Sequence, residues 1–89
     1  MVNLNDSKKK VEIAYPVEWK YKVIGENRQK IVEAVKDIMG ERPHTLGFSK
    51  TSNKGSYHSY ELCTLVHNED DRTEIFRQLK EHNDVKMVL

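Results

Sequence analysis

Eighty-nine residues, 37% of them apolar, suffice for one modest core and are too few to enclose a large cavity. The 15 basic and 14 acidic side chains leave a formal net charge of only +1, which argues against a dedicated nucleic-acid binder. A single cysteine excludes an internal disulfide or a multi-cysteine metal site, no apolar run approaches the roughly 20 residues of a membrane span, and Met1 to Asp6 lack the apolar stretch of a signal peptide. The expectation is a soluble protein of a reducing compartment, most simply the cytoplasm, with no cofactor.

Residues 1–14 are polar and carry the run Lys8-Lys9-Lys10. They are expected to form a flexible tail ahead of a single domain over 15–89, and the lysines read as a solvated arm before they read as a nucleic-acid contact. Tyr15-Pro16 sets an extended start, because the residue before proline avoids the helical region. Trp19 to Gly25 then alternates: Trp19, Tyr21 and Val23 share one face, Lys20, Lys22 and Ile24 the other. That is a strand with one buried side.

Asn27 is placed to cap a helix whose apolar positions are Ile31, Val32, Val35, Ile38 and Met39, and Gly40 is placed to end it in the left-handed region. Thr45 to Thr51 is a second, weaker strand with Leu46 and Phe48 on its apolar side. Asn53-Lys54-Gly55-Ser56 is a turn, and Tyr57 to Val66 is the longest strand, with His58, Tyr60, Leu62, Thr64 and Val66 on one face. Asn68 caps a second helix with three acids in its first turn, where the helix dipole favours negative charge. Ile75, Phe76 and Leu79 form its apolar stripe, and Asn83 is the expected stop. Val85 to Leu89 closes the chain as a strand, with Val85, Met87 and Leu89 expected toward the helices and Lys86 and Val88 away from them.

The order β-α-β-β-α-β predicts an α+β, ferredoxin-like fold: a four-stranded antiparallel sheet with both helices on one face. Connection handedness places the first and third strands at the centre. The other sheet face would stay uncovered, showing Lys20, Lys22, Ile24, Tyr57, Ser59, Glu61, Cys63 and Leu65.

Ser52-Asn53-Lys54-Gly55-Ser56-Tyr57-His58-Ser59, Pro16 to Gly25, and the ending Val85-Lys86-Met87-Val88-Leu89 resemble the YbeD-like family of small uncharacterised bacterial proteins. The likeness covers about residues 15–89. It implies a ferredoxin-like fold similar to ACT-type regulatory domains. It also implies small-molecule sensing or protein partnering, with links to lipoate or amino-acid metabolism, and brings no established activity or ligand.

The hairpin tip holds the candidate ligand-binding or partner-binding residues: Lys50, Ser52, Lys54, Gly55, Tyr57, His58 and Ser59. The lysines supply positive charge, Gly55 permits close backbone approach, and the hydroxyls and imidazole offer hydrogen bonds suited to a carboxylate or phosphate. A plain polar turn meeting water is the simpler reading. His58 reads as a half-buried, hydrogen-bonded histidine before a catalytic base, and Cys63 as a small side chain on a sheet before a reactive thiol. His44, His58, His67 and His82 lie in separate elements without the spacing of a metal site.

Two relatives of the fold are tested directly by the residues. An acylphosphatase needs a glycine-rich anion loop with its arginine after the first strand, where this chain has Gly25-Glu26-Asn27-Arg28. An RNA-recognition module needs stacking aromatics where Ser56 and His58 stand. The expectation is therefore a non-enzymatic domain that binds a small anionic metabolite or a protein partner through the tip and the open face. A small acyl or phosphoryl hydrolase and an RNA-binding module are the alternatives, and a homodimer through the open face is a further reading.

Overall fold

The structure is a computed structural model, and it describes residues 13–89. The expected tail lies, over residues 1–12, outside the described residues. Four strands and two helices follow in the order β1 (Val17–Gly25), α1 (Arg28–Met39), β2 (His44–Thr51), β3 (His58–Val66), α2 (Glu69–Glu81) and β4 (Met87–Val88). The antiparallel sheet runs β2-β3-β1-β4, so β1 and β3 are central, as the ferredoxin-like fold requires.

Local chemistry sets the helix ends. The Asn27 side chain accepts from the Lys30 amide and the Asn68 side chain from the Asp71 amide, each taking up one of the orphan donors of a first turn. Gly40 ends α1 with φ of 57°, a conformation open to glycine at little cost. The stop of α2 differs from the expected one: His82, not Asn83, caps it, with its amide donating to the Leu79 carbonyl.

The core lies between the helices and one sheet face. Tyr21 and Val23 of β1, Ile31 and Val35 of α1, Leu62 and Val66 of β3 and Leu79 of α2 are almost fully buried. Each strand contributes alternate residues, and each helix the stripe that faces them. Phe76, expected in that stripe, stays 37% exposed.

Gly25 closes the first crossover tightly. A β-carbon there would lie 2.8 Å from both the Asp84 carbonyl oxygen and Ile31 Cγ1. The loop before β4 therefore passes directly over the turn between β1 and α1.

Two details of register depart from strict alternation. In β4, Val88 pairs with Val23 and Met87 with Ile24. Opposite residues share a face, so Val88 turns to the helices with Val23 and is buried, while Met87 is 52% and Leu89 67% exposed. This reverses the expected placement of Met87, Leu89 and Val88. Val85 is buried as expected, from the turn ahead of the strand, where its amide donates to His82.

In β2 the pairing with β3 shifts between Phe48 and Lys50, leaving Ser49 as an extra residue. His44, Leu46 and Phe48 stand opposite Thr64, Leu62 and Tyr60, on the helix side. After the bulge Lys50 stands opposite Ser59, and Thr51 opposite His58. The bulge thus moves Lys50 onto the open face.

Candidate binding surface

The hairpin between β2 and β3 is closed by its own polar groups. The Ser52 amide donates to the Tyr57 carbonyl at 2.8 Å, and the Gly55 amide to the Ser52 carbonyl at 2.9 Å. The Tyr57 amide donates to Ser52 Oγ at 3.2 Å. Gly55 has φ of 75°, a left-handed value that the turn requires, with open space where a β-carbon would stand. Ser52 is therefore engaged in building the tip.

The next two residues are also engaged. His58 Nδ1 lies 2.9 Å from Thr51 Oγ1, its partner across the ladder. Ser59 is 8% exposed, and its hydroxyl donates to the Lys50 carbonyl at 3.3 Å. Lys50, Lys54 and Gly55 are exposed at the tip, and Tyr57 is 43% exposed. Of the seven tip residues singled out from sequence, Ser52, His58 and Ser59 thus satisfy one another's neighbours. Lys50, Lys54 and Tyr57 present side chains to solvent, and Gly55 shapes the turn.

The pairing registers set out the open face row by row. Lys50, Ser59, Ile24 and Met87 form one row across β2, β3, β1 and β4. Gly47, Glu61 and Lys22 form the next, then Thr45, Cys63 and Lys20, then Leu65 and Glu18. Tyr57 precedes the first row by alternation. The surface is apolar at Ile24, Met87, Leu65 and Tyr57, and charged between them.

A groove of about 460 Å³ crosses β2 at Gly47, with Lys20, Glu61 and Cys63 among its walls. The missing side chain of Gly47 makes this dip, since nothing packs within 4 Å of where a β-carbon would stand. Sequence reading passed over Gly47, because a glycine inside a weak strand signals only irregularity. The Cys63 thiol lies 4.0 Å from Glu18 Oε1, and Lys20 stands opposite Cys63 across the ladder.

A second cluster was invisible to periodicity. Arg28, in the first turn of α1, donates from Nε to the Tyr60 hydroxyl at 3.2 Å and stacks 4.0 Å from the Phe48 ring centre. Phe48 and Tyr60 meet edge to face at 5.4 Å. The cation over the ring covers part of Phe48, which stays 43% exposed. No spacing rule links position 28 to positions 48 and 60, so only the fold joins them.

Two further grooves, about 490 and 360 Å³, flank Asp84 where the loop before β4 passes α1. Their walls mix acids and lysines, and none of the tip residues lines either of them. Among the described residues, no three His, Cys, Asp or Glu side chains converge as a metal site. No helix among them is long and apolar enough to cross a membrane.

Comparison with known proteins gives relatives without an assigned role. A family model described as "Protein of unknown function (DUF493)" matches residues 10–89. An uncharacterised protein of Campylobacter jejuni is 44% identical over 80 residues, which span 90% of this chain and 92% of the relative. An uncharacterised protein of Helicobacter pylori is 33% identical over 87 residues, 96% of this chain and 98% of the relative. The solution structure of a Helicobacter pylori protein superimposes with a TM-score of 0.81 at 28% identity, covering 100% of this chain and 98% of that one.

Proposed function

We propose that this chain, which belongs to the DUF493 family of proteins of unknown function, is a non-enzymatic binding domain whose open sheet face and hairpin tip dock a protein partner. The observation that carries this reading is the row Lys50–Ser59–Ile24–Met87 on the sheet face without helices, with Tyr57 just ahead of β3 in the chain. Met87 and Tyr57 remain 52% and 43% exposed, and Leu65 on the same face 43%. Apolar side chains interleaved with Lys20, Lys22 and Glu61 give such a face both contact area and charge selectivity. In this role Tyr57 and Met87 are the anchors, and Lys50 and Lys54 steer.

The small-anion reading is the second. Lys50, Lys54 and Gly55 favour it, while the Ser59 hydroxyl is spent on the Lys50 carbonyl, and Ser52 Oγ and His58 Nδ1 are held within the hairpin. A regulatory role of the ACT-type kind and a YbeD-like relationship fit either reading.

The test is affinity capture from soluble cell extract with the wild type and with Tyr57→Ala and Met87→Ser variants, folding being checked by circular dichroism. A protein retained by the wild type and lost from both variants supports the proposal. Amide shifts of the wild type against isolated candidates then locate the contact. Identical capture by both variants, or shifts confined to the helix side, would sink it. Shifts at Lys54 and Gly55 with a small carboxylate or phosphate compound, and none at Ile24 or Met87, would favour the anion.

A further inference from the structure

β1 is central along only part of its length. Lys22 exchanges both backbone bonds with Leu89, at 3.0 and 2.9 Å, and the Ile24 carbonyl accepts from the Lys86 amide at 2.7 Å. Along a strand, alternate residues turn their amide and carbonyl to the same edge. Lys20 and Glu18 therefore aim theirs at this edge too, and no described strand runs beside them past Leu89. Among the described residues, the stretch Val17–Tyr21 has β3 on one side and no strand on the other. An unpaired row along a sheet edge is a template for another strand.

A groove of about 290 Å³ lies beside that edge, on the helix side. Trp19, Tyr21, Thr73 and Phe76 are among its walls, Leu89 closes one end of it from just past β4, and Phe76 is an exposed apolar residue. The Arg72 guanidinium lies 4.7 Å from the Trp19 ring and holds α2 over β1. The Tyr21 hydroxyl, donating to the Arg72 carbonyl at 2.7 Å, does the same. On the opposite sheet face, Glu18 and Lys20 carry opposite charges two residues apart.

A second copy of the chain does not fit here. Arg72 and Tyr21 hold α2 over β1, so pairing two β1 strands at about 4.8 Å would crowd two α2 helices together, and packed helices need roughly 8–10 Å. An extended peptide has no such bulk. The open stretch matches about five residues of strand, on the order of 16 Å.

We propose that the edge Val17–Tyr21 and the adjoining groove receive an extended segment of a partner protein as an added strand. Its apolar side chains alternate toward Trp19 and Tyr21, with an acid facing Lys20 and a base facing Glu18. Backbone bonds supply the attachment, the groove selects alternate apolar residues, and the charge pair fixes register and direction. This site is separate from the open-face surface, and each stands or falls alone.

The probe is the peptide acetyl-Ile-Glu-Val-Lys-Leu-amide, titrated into the full chain. Trp19, the sole tryptophan, reports on the groove by its fluorescence, and the amides of Glu18, Lys20 and Phe76 report by their shifts. The expected result is saturable binding, weakened roughly tenfold or more when the Glu and Lys of the peptide are exchanged. Lys20→Pro removes the outward amide hydrogen and the Lys20 charge, both of which the added strand uses, and is expected to abolish binding. Should that variant not fold, Phe76→Glu, on the exposed helix surface, is expected to do the same. No fluorescence or shift change up to about 1 mM peptide, a span that covers even weak strand addition, overturns the proposal. So does undiminished binding by a folded variant. Binding seen only after removal of residues 1–12 also overturns it, by assigning the edge to this chain's own N-terminal segment.

Discussion

Arg42, in the connection from α1 to β2, grips Asp71, in the first turn of α2, with both arms of its guanidinium. Nη1 donates to Oδ1 at 2.8 Å, and Nη2 donates both to Oδ2 and to the Leu65 carbonyl. The His67 amide donates to the same Oδ2 at 3.0 Å. One ion pair thus ties the start of β2, the end of β3 and the start of α2. The two side chains are 28% and 20% exposed, so water screens the pair only in part.

The Arg42 hydrogen bonds hold the Asp71 carboxyl down to about 2, against an ordinary value of 3.8. Its pKa is lower in the folded state, so the unfolded chain binds the proton more readily as pH falls. The stabilisation is full above pH 3.8 and is lost as pH drops from there toward 2. Urea unfolding should show Asp71→Asn about 1 kcal/mol less stable than wild type at neutral pH, after allowance for partial exposure. The gap should narrow as the pH approaches 2. A constant gap across that range would contradict this role.

Tyr21 carries a linkage of opposite sense. Burial pushes its hydroxyl up to about 12, and the hydroxyl donates to the Arg72 carbonyl. A raised folded value means the neutral form is favoured by folding, so this contribution is complete below pH 10 and is lost as pH rises toward 12. Tyr21→Phe should cost about 1 kcal/mol through the lost bond and the bared Arg72 carbonyl. It should also remove that part of the alkaline destabilisation. Absorbance titration of the tyrosines, with the latest-titrating one absent from the variant, checks the assignment.

Gly25→Ala should destabilise by about 1–3 kcal/mol, the range for overpacking a close contact. The added carbon meets a backbone carbonyl, which yields less readily than a side-chain tip. The midpoint of urea unfolding should fall with its slope unchanged. A midpoint equal to wild type would show that the loop before β4 moves away freely.

Gly55 should behave differently, because its surroundings are empty and only its left-handed backbone is demanding. Gly55→Ala should cost about 1 kcal/mol, and Gly55→Asn clearly less, since asparagine visits that region more easily. Equal losses in the two variants would contradict a conformational origin.

The ladder of elements was legible because local chemistry writes it. Asn27, Gly40 and Asn68 mark helix ends through groups within a few residues, and alternation from Trp19 to Val23 and from His58 to Val66 marks the buried strand face. The candidate tip was legible as a turn, since Asn53-Lys54-Gly55-Ser56 carries its own conformational signal. Its surroundings were less so. Alternation counts residues along one strand and is blind to an insertion such as Ser49, which turned Lys50 over to the open face. The same blindness misplaced Met87, Val88 and Leu89, whose facing depends on the register against Val23.

By itself, then, the sequence determined the element order, the helix caps, the hairpin turn and the face of each long strand that meets the helices. These depend on hydrogen bonds and periodicities that span a few residues. The tertiary structure alone decided that Lys50 joins Ser59 on the open face and that Arg42 reaches Asp71. It also decided that Gly25 has no room for a side chain and that, among the described residues, β4 does not reach the edge of β1 at Glu18 and Lys20. Each of those depends on where distant segments stop beside one another, and burial of the shared core at Tyr21, Leu62 and Leu79 fixes those positions.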